Sequence, residues 1–179
     1  MMRVAELYGG SLYDLAAEEQ QEQEILAEMK GVQALFHENP KYCELLSEPS
    51  IPKDKRLGLL DQAFRNEIRP YLLNFLKLIT ERELLSQYGG MCRAYERRFN
   101  AAHNIVAATV RTAVPLDQEE RDRLKEALGK RSGKQVVLRE MLDASLLGGI
   151  VVEIDGKTLD GSVAGRLLEI RKKVEEIVL

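Results

Sequence analysis

The chain has 179 residues, 45% of them apolar and 31% charged, and its 26 basic against 29 acidic side chains leave a net charge of −3. That composition suits one or two globular domains with a packed core and excludes wholesale disorder. The longest apolar run, Leu146 to Val152 with its glycines, is far below the ~20 residues that cross a bilayer.

The N-terminus has neither the apolar core of a secretory signal nor the Arg-rich bias of an organellar presequence, so the chain is expected to act where it is made. Residues 1–38 are acidic: eight acids and two bases give −6 and leave +3 for the remainder. Such an end disfavours nucleic acid. The acids from Glu18 to Glu28 read as a solvated helix face, with steering of a partner as the alternative. Leu7, Tyr8, Leu12 and Leu15 share one helical face, and Ile25, Met29, Val32 and Phe36 recur at steps of four and three, which predicts two amphipathic helices. Asn39-Pro40 opens a short helix, and Pro49 to Pro52 separates it from another carrying Leu57, Leu60 and Phe64. Pro70 suits a first helical position, and the helix it opens is apolar on almost every side, hence central. A further helix runs from about Leu84 through Leu85, Tyr88, Cys92, Tyr95 and Phe99. The expected architecture of residues 1–103 is a six-helix bundle.

At Asn104 the period changes, and a second, α+β domain is expected over residues 104–179. Ile105 to Val114 is β-branched and reads as a strand. Asp117 with Glu120 forms a capping box for a helix through Leu124 and Leu128 that closes between Gly129 and Gly133. Gln135 to Arg139 predicts a second strand and Leu146 to Ile154 a third, joined through an Asp155-Gly156 hairpin turn to Lys157-Thr158-Leu159. The last helix repeats Val163, Leu167, Ile170, Val174 and Ile177 beside Arg166, Arg171, Lys172 and Lys173. That seam serves either core packing or the docking of another helix. The fold class is thus mainly α with a small α+β domain, a short sheet and two helices.

Catalytic groups are scarce. His37 and His103 lie far apart near element ends and read as surface residues, which argues against a metal pair or a Ser-His dyad. Cys43 and Cys92 lack CxxC spacing and read as buried thiols in a reducing compartment. Gly129 to Lys134 has three residues between its glycines, where a phosphate loop has four, and precedes a strand, so it reads as a basic turn. Gly148-Gly149 lacks dinucleotide-loop spacing and reads as a bulge or a close backbone contact. Asp155 is accounted for by the hairpin turn and Asp160 by capping the last helix. No cofactor, metal or catalytic residue is expected. Composition alone leaves open an interaction protein, a small ligand-binding α+β domain on a helical bundle, and an RNA-binding adaptor.

The segment Asp143-Ala144-Ser145-Leu146-Leu147-Gly148-Gly149-Ile150-Val151-Val152, followed by Asp155-Gly156 and by Asp160-Gly161-Ser162-Val163 with Arg166-Leu167, resembles the C-terminal signature of the delta-subunit family of F-type ATP synthases, related to the mitochondrial oligomycin-sensitivity-conferring protein. Tyr8 to Ala16 resembles the family's first-helix motif, and Asn74 to Ile79 its N-F-L-x-L-L helix. The chain departs from the family pattern at Gly9 and Ser11, where alanine is usual, at Tyr13 for phenylalanine, and at Arg82-Glu83-Leu84. Two consecutive glycines weaken a helix by about 1 kcal/mol each unless a partner packs there.

The resemblance implies a non-catalytic peripheral-stalk (stator) subunit that links the catalytic alpha/beta head to the b-subunit stalk, one copy per complex. It implies that the N-terminal helix of an alpha subunit lies in a groove between the first and fifth helices, with Tyr8, Ser11, Leu12, Phe75, Leu78 and Ile79 as contacts and Ile25 contributing. It implies a b-stalk contact at Gly148, Gly149, Ser162, Val163, Arg166 and Leu167. With no transit segment, the expected location is peripheral, on the cytoplasmic face of a bacterial membrane. No nucleic acid is implied.

Overall fold

Proline rings preset the backbone for a first helical turn, where the missing N–H has no partner to lose, and Pro40 and Pro70 each open a helix in this chain. The computed structural model describes residues 2–178, leaving out the side chains of Met2, Glu169 and residues 172–178. Its first helices are α1 (Met2–Glu18), α2 (Glu22–Glu38), α3 (Pro40–Ser47), α4 (Lys53–Phe64), α5 (Pro70–Glu81) and α6 (Tyr88–Ala102). After them come β1 (Ile105–Thr112), α7 (Gln118–Ser132), β2 (Gln135–Leu142), β3 (Gly149–Ile154), β4 (Lys157–Ser162) and α8 (Val163–Val178). The protein is mostly helical with a small four-stranded sheet. It divides into two compact units, Met1–Phe99 and Asn100–Leu179, so the end of α6 clusters with the second unit rather than the first.

In the first unit the α2 seam of Ile25, Met29, Val32 and Phe36 is buried, as are Leu72, Leu76 and Ile79 of α5 and Tyr88, Met91, Cys92 and Tyr95 of α6. Burial of the phenols requires acceptors. Tyr88 Oη donates to Met29 O at 3.1 Å and Tyr95 Oη to Glu22 O at 2.9 Å. Glu28 on α2 fixes where α5 begins, accepting from Arg69 N at 2.9 Å and from the Arg69 guanidinium at 2.6 Å. The helix expected from Leu84 starts at Tyr88, because Glu83 takes a left-handed φ of 58° and Leu85–Gln87 forms a single 3-10 turn. Cys92 is buried as expected, Cys43 half-buried.

Gly9 has a partner after all. A Cβ there would lie 2.4 Å from Met91 O and 2.9 Å from Ala94 Cβ, so α1 crosses α6 at backbone contact. The crossing is flanked by ion pairs from α6 to α1, Arg97 to Glu6 and Arg98 to Asp14.

In the second unit the strands are ordered β2-β1-β3-β4. β1 and β2 are parallel and joined through α7, while β1–β3 and β3–β4 are antiparallel. Ala108, Val110 and Val152 pack against Leu116 and Leu128, with Leu124 beside them. Asp117 and Glu120 make the expected capping box, and the helix closes at Gly133. β1 stops two residues short of Val114, where the Thr112 hydroxyl bonds the Val114 carbonyl at 2.6 Å and ends the ladder. β3 begins three residues later than expected, at Gly149, because Asp143 to Leu146 is a hydrogen-bonded turn. Ser162, not Asp160, caps α8: its Oγ accepts from Gly165 N at 3.0 Å.

Helix propensity alone makes Gly9→Ala stabilising by about 1 kcal/mol. The α1–α6 crossing reverses the sign, because the methyl would overlap a carbonyl oxygen that belongs to a packed helix. The expected outcome is a lower melting temperature for Gly9→Ala; a rise would show that α1 stands off α6.

Candidate docking surfaces

With its glycine face against α6, α1 turns Leu7, Tyr8, Ser11, Leu12 and Leu15 toward Tyr71, Asn74, Phe75 and Leu78 of α5. These residues line an open, mainly apolar groove of about 540 Å³. Leu12 (4% exposed) and Phe75 (7%) are its floor, whereas Leu7 (65%) and Leu78 (41%) stand out along its walls. Leaving large aliphatic side chains this exposed forgoes burial worth about 1.5–3 kcal/mol each, the signature of a surface that another apolar face covers.

Of the residues expected in this groove, Tyr8, Ser11, Leu12, Phe75 and Leu78 line it. Ile25 and Ile79 do not: both are fully buried in the core of the first unit. α5 is apolar nearly all round, so its sequence could not distinguish the core line Leu72, Leu76, Ile79 from the groove line Tyr71, Asn74, Phe75, Leu78. Leu7, Leu15, Tyr71 and Asn74 escaped the sequence-based assignment. The first two carried a signal, since they share a face with Tyr8 and Leu12 at helical spacing.

Along its lining the groove is electrically neutral. Asp14 is taken up by Arg98, and Lys77, the one charged residue between Tyr71 and Leu78, pairs with Asp61 at 2.7 Å. The Lys77 hydrogen bond holds the Asp61 carboxyl below the usual carboxylate range.

In the second unit the signature residues make turns. Asp143 Oδ1 accepts from Ser145 N at 3.0 Å and from Ser145 Oγ at 2.5 Å, and Asp160 Oδ1 accepts from Ser162 N at 2.8 Å. These bonds, reinforced by the positive charge of Arg111, hold both carboxyls below their ordinary range. Val163 N donates to Gly148 O at 3.0 Å, which ties the start of α8 to the turn before β3. Gly148, Gly149, Ser162 and Val163 therefore come together, with Arg166 and Leu167 on the following turn of α8. Ser162 is buried and occupied by capping, while Val163 (44%) and Leu167 (59%) are exposed. The expected continuation of that seam through Val174 and Ile177, and the bases Lys172 and Lys173, lie outside the described side chains.

Gly149 is close-packed, and its neighbour is the chain itself. It takes a left-handed φ of 79°, and a Cβ would fall 2.4 Å from Gly161 O on β4. The close backbone contact expected from the glycine pair is a feature of this hairpin.

No helix of the described residues is long and apolar enough to cross a membrane, and no three His, Cys, Asp or Glu side chains among them converge as a metal set. Residues 4–174 match the family described as ATP synthase delta (OSCP) subunit. The chain belongs to that family. It is 34% identical to the ATP synthase subunit delta of Lactiplantibacillus plantarum over 172 residues, covering 96% of this chain and 94% of that one. The delta subunit of Alkaliphilus oremlandii is 28% identical over 176 residues, 98% of each chain. A solved chain from the Toxoplasma gondii mitochondrial ATP synthase hexamer shares the fold, with a TM-score of 0.70 at 19% identity, across 95% of this chain and 96% of that one. The delta family is a structural, non-catalytic part of ATP synthase, so the described surfaces are to be read for contacts and not for turnover.

Valine favours strands, so local propensity makes Gly149→Val neutral or stabilising. In this delta-family chain the left-handed backbone and the Gly161 carbonyl oppose it. A lowered melting temperature of the isolated chain is expected; an unchanged melt, with activity of the parent complex lost, would move the critical contact from the hairpin to a partner.

Proposed function

We propose that this chain is the peripheral-stalk subunit that ties the alpha/beta head of an F-type ATP synthase to its b-subunit stalk, so that ion-driven rotation is coupled to ATP synthesis. In this reading it acts at the cytoplasmic face of a bacterial membrane, bound there only through the complex, as one copy. The single observation that carries it is the groove between α1 and α5, an open apolar trough between two helices in a chain of the delta family. A trough of this kind takes the apolar stripe of an amphipathic helix, and the occupant we assign is the N-terminal helix of an alpha subunit. Tyr8, Ser11, Leu12, Phe75 and Leu78 are its contacts, now with Leu7, Leu15, Tyr71 and Asn74, and without Ile25 and Ile79.

The b-stalk contact belongs to the second unit. Its support is the exposed apolar line of Val163, Leu167 and Ile170 on α8, beside Arg166, with Gly148 and Gly149 setting the angle at which α8 leaves the sheet. A tether between a head and a stalk resists torque through area and shape, and needs no titratable centre.

Binding of a peptide copying the alpha N-terminal helix, followed by fluorescence anisotropy, tests the groove. Phe75→Asp puts an unpaired carboxylate on its floor, which costs several kcal/mol, about a thousandfold in affinity. Tyr8→Phe removes one hydroxyl and is expected to cost about 1 kcal/mol. Retained affinity in a natively helical Phe75→Asp variant would put the helix on another face.

The six helices also form, in this reading, a bundle that is stable without the second unit. A fragment of residues 1–103 is expected to melt cooperatively by circular dichroism, whereas a gradual, low-helicity melt would mean that the sheet unit is needed to hold it together.

A further inference from the structure

The face of α1 that lines the groove continues past both ends of the lining at helical spacing. Arg3 lies four residues before Leu7, and Glu18 and Glu19 lie three and four residues after Leu15. One stripe therefore runs Arg3, Leu7, Ser11, Leu15, Glu18, with a positive charge at one end, a neutral apolar middle and negative charge at the other. All three charged residues are exposed.

Their freedom sets them apart from the charges along the middle of the groove. Glu6 pairs with Arg97, Asp14 with Arg98, Lys77 with Asp61 and Glu81 with Lys53. Those four charges are neutralised within the molecule, while Arg3, Glu18 and Glu19 on the α1 stripe, like the exposed Glu67 and Arg82 flanking α5, make no side-chain ion pair or hydrogen bond among the described residues. From Arg3 to Glu18 the helix advances 15 steps, about 22 Å at 1.5 Å per residue.

We infer that the groove reads polarity as well as hydrophobicity: the helix that docks there is amphipathic, carries acidic side chains at the end lying over Arg3, and carries basic side chains at the end lying over Glu18 and Glu19. This rests on the groove being the docking site for the alpha N-terminal helix and adds to it the charge pattern that fixes which way that helix lies. A neutral apolar trough by itself accepts a helix in either direction, since leucine faces look alike from both ends. Opposite charges at the two ends break that symmetry, because the reversed helix would set like charge against like charge at both. The acids at the end of α1, which sequence alone reads as a solvated face or as steering a partner, take the second role in this way.

The test uses the full chain and a fluorescent peptide copying the alpha N-terminal helix, at low and at high salt. Arg3→Glu, and separately the pair Glu18→Lys with Glu19→Lys, are expected to weaken binding about three- to tenfold in 20 mM salt, as exposed charge pairs do. The loss is expected to vanish near 1 M salt, where the screening length is about 3 Å. A peptide with its acidic and basic residues exchanged is expected to bind a variant combining Arg3→Glu, Glu18→Lys and Glu19→Lys better than it binds the natural chain. These positions are exposed, so circular dichroism is expected to show unchanged helicity. Tight binding that Phe75→Asp abolishes but that is indifferent to the charge reversals and to salt overturns the polarity inference and leaves the groove in place. A peptide that the natural chain does not bind removes the groove reading and this inference with it.

Discussion

The contact on which the first unit depends is the crossing of α1 and α6 at Gly9. Without a side chain at that position the α1 backbone settles on the Met91 carbonyl, closer than any residue with a Cβ allows. Helix propensity is given up there, and the gain is orientation. With its glycine face held against α6 and pinned by Arg97 and Arg98, α1 can only turn Leu7, Tyr8, Ser11, Leu12 and Leu15 away, toward α5. Glu28 does the matching work for α5 by fixing where that helix starts. The groove is thus what remains when two helices are held apart by their packing on others.

The second unit uses a different device. Two Asp-Ser turns, Asp143 with Ser145 and Asp160 with Ser162, set the loop before β3 and the start of α8, and the bond from Val163 N to Gly148 O joins them. Several residues of the C-terminal signature by which the chain resembles its family are these turn formers. A recognisable signature can therefore mark a scaffold, while the contact proposed for it falls to exposed side chains such as Val163 and Leu167, which are chemically unremarkable.

What could be read from the sequence follows from how local each determinant is. The capping box at Asp117 and Glu120, the proline-opened helices and the Asp155-Gly156 turn depend on neighbours within four residues, and each is present. Strand ends were less legible, because β1 stops where the Thr112 side chain captures the Val114 backbone. Ile79 and Ile25 show the limit most clearly. Both are large, aliphatic and near the expected groove, and only the packing of α5 on α2 shows that they face inward. The role of Gly9 was legible only as a question, since its answer lies on α6, more than eighty residues along the chain.

The central claim is that one chain holds a head and a stalk together, and sedimentation of the purified components tests it most directly. Head, stalk b chains and this protein, mixed at equal concentration, are predicted to run as one assembly containing a single copy of it, while head and stalk without it run apart. Head and stalk that co-sediment equally well in its absence, or a chain that binds either one and never both, would contradict the account.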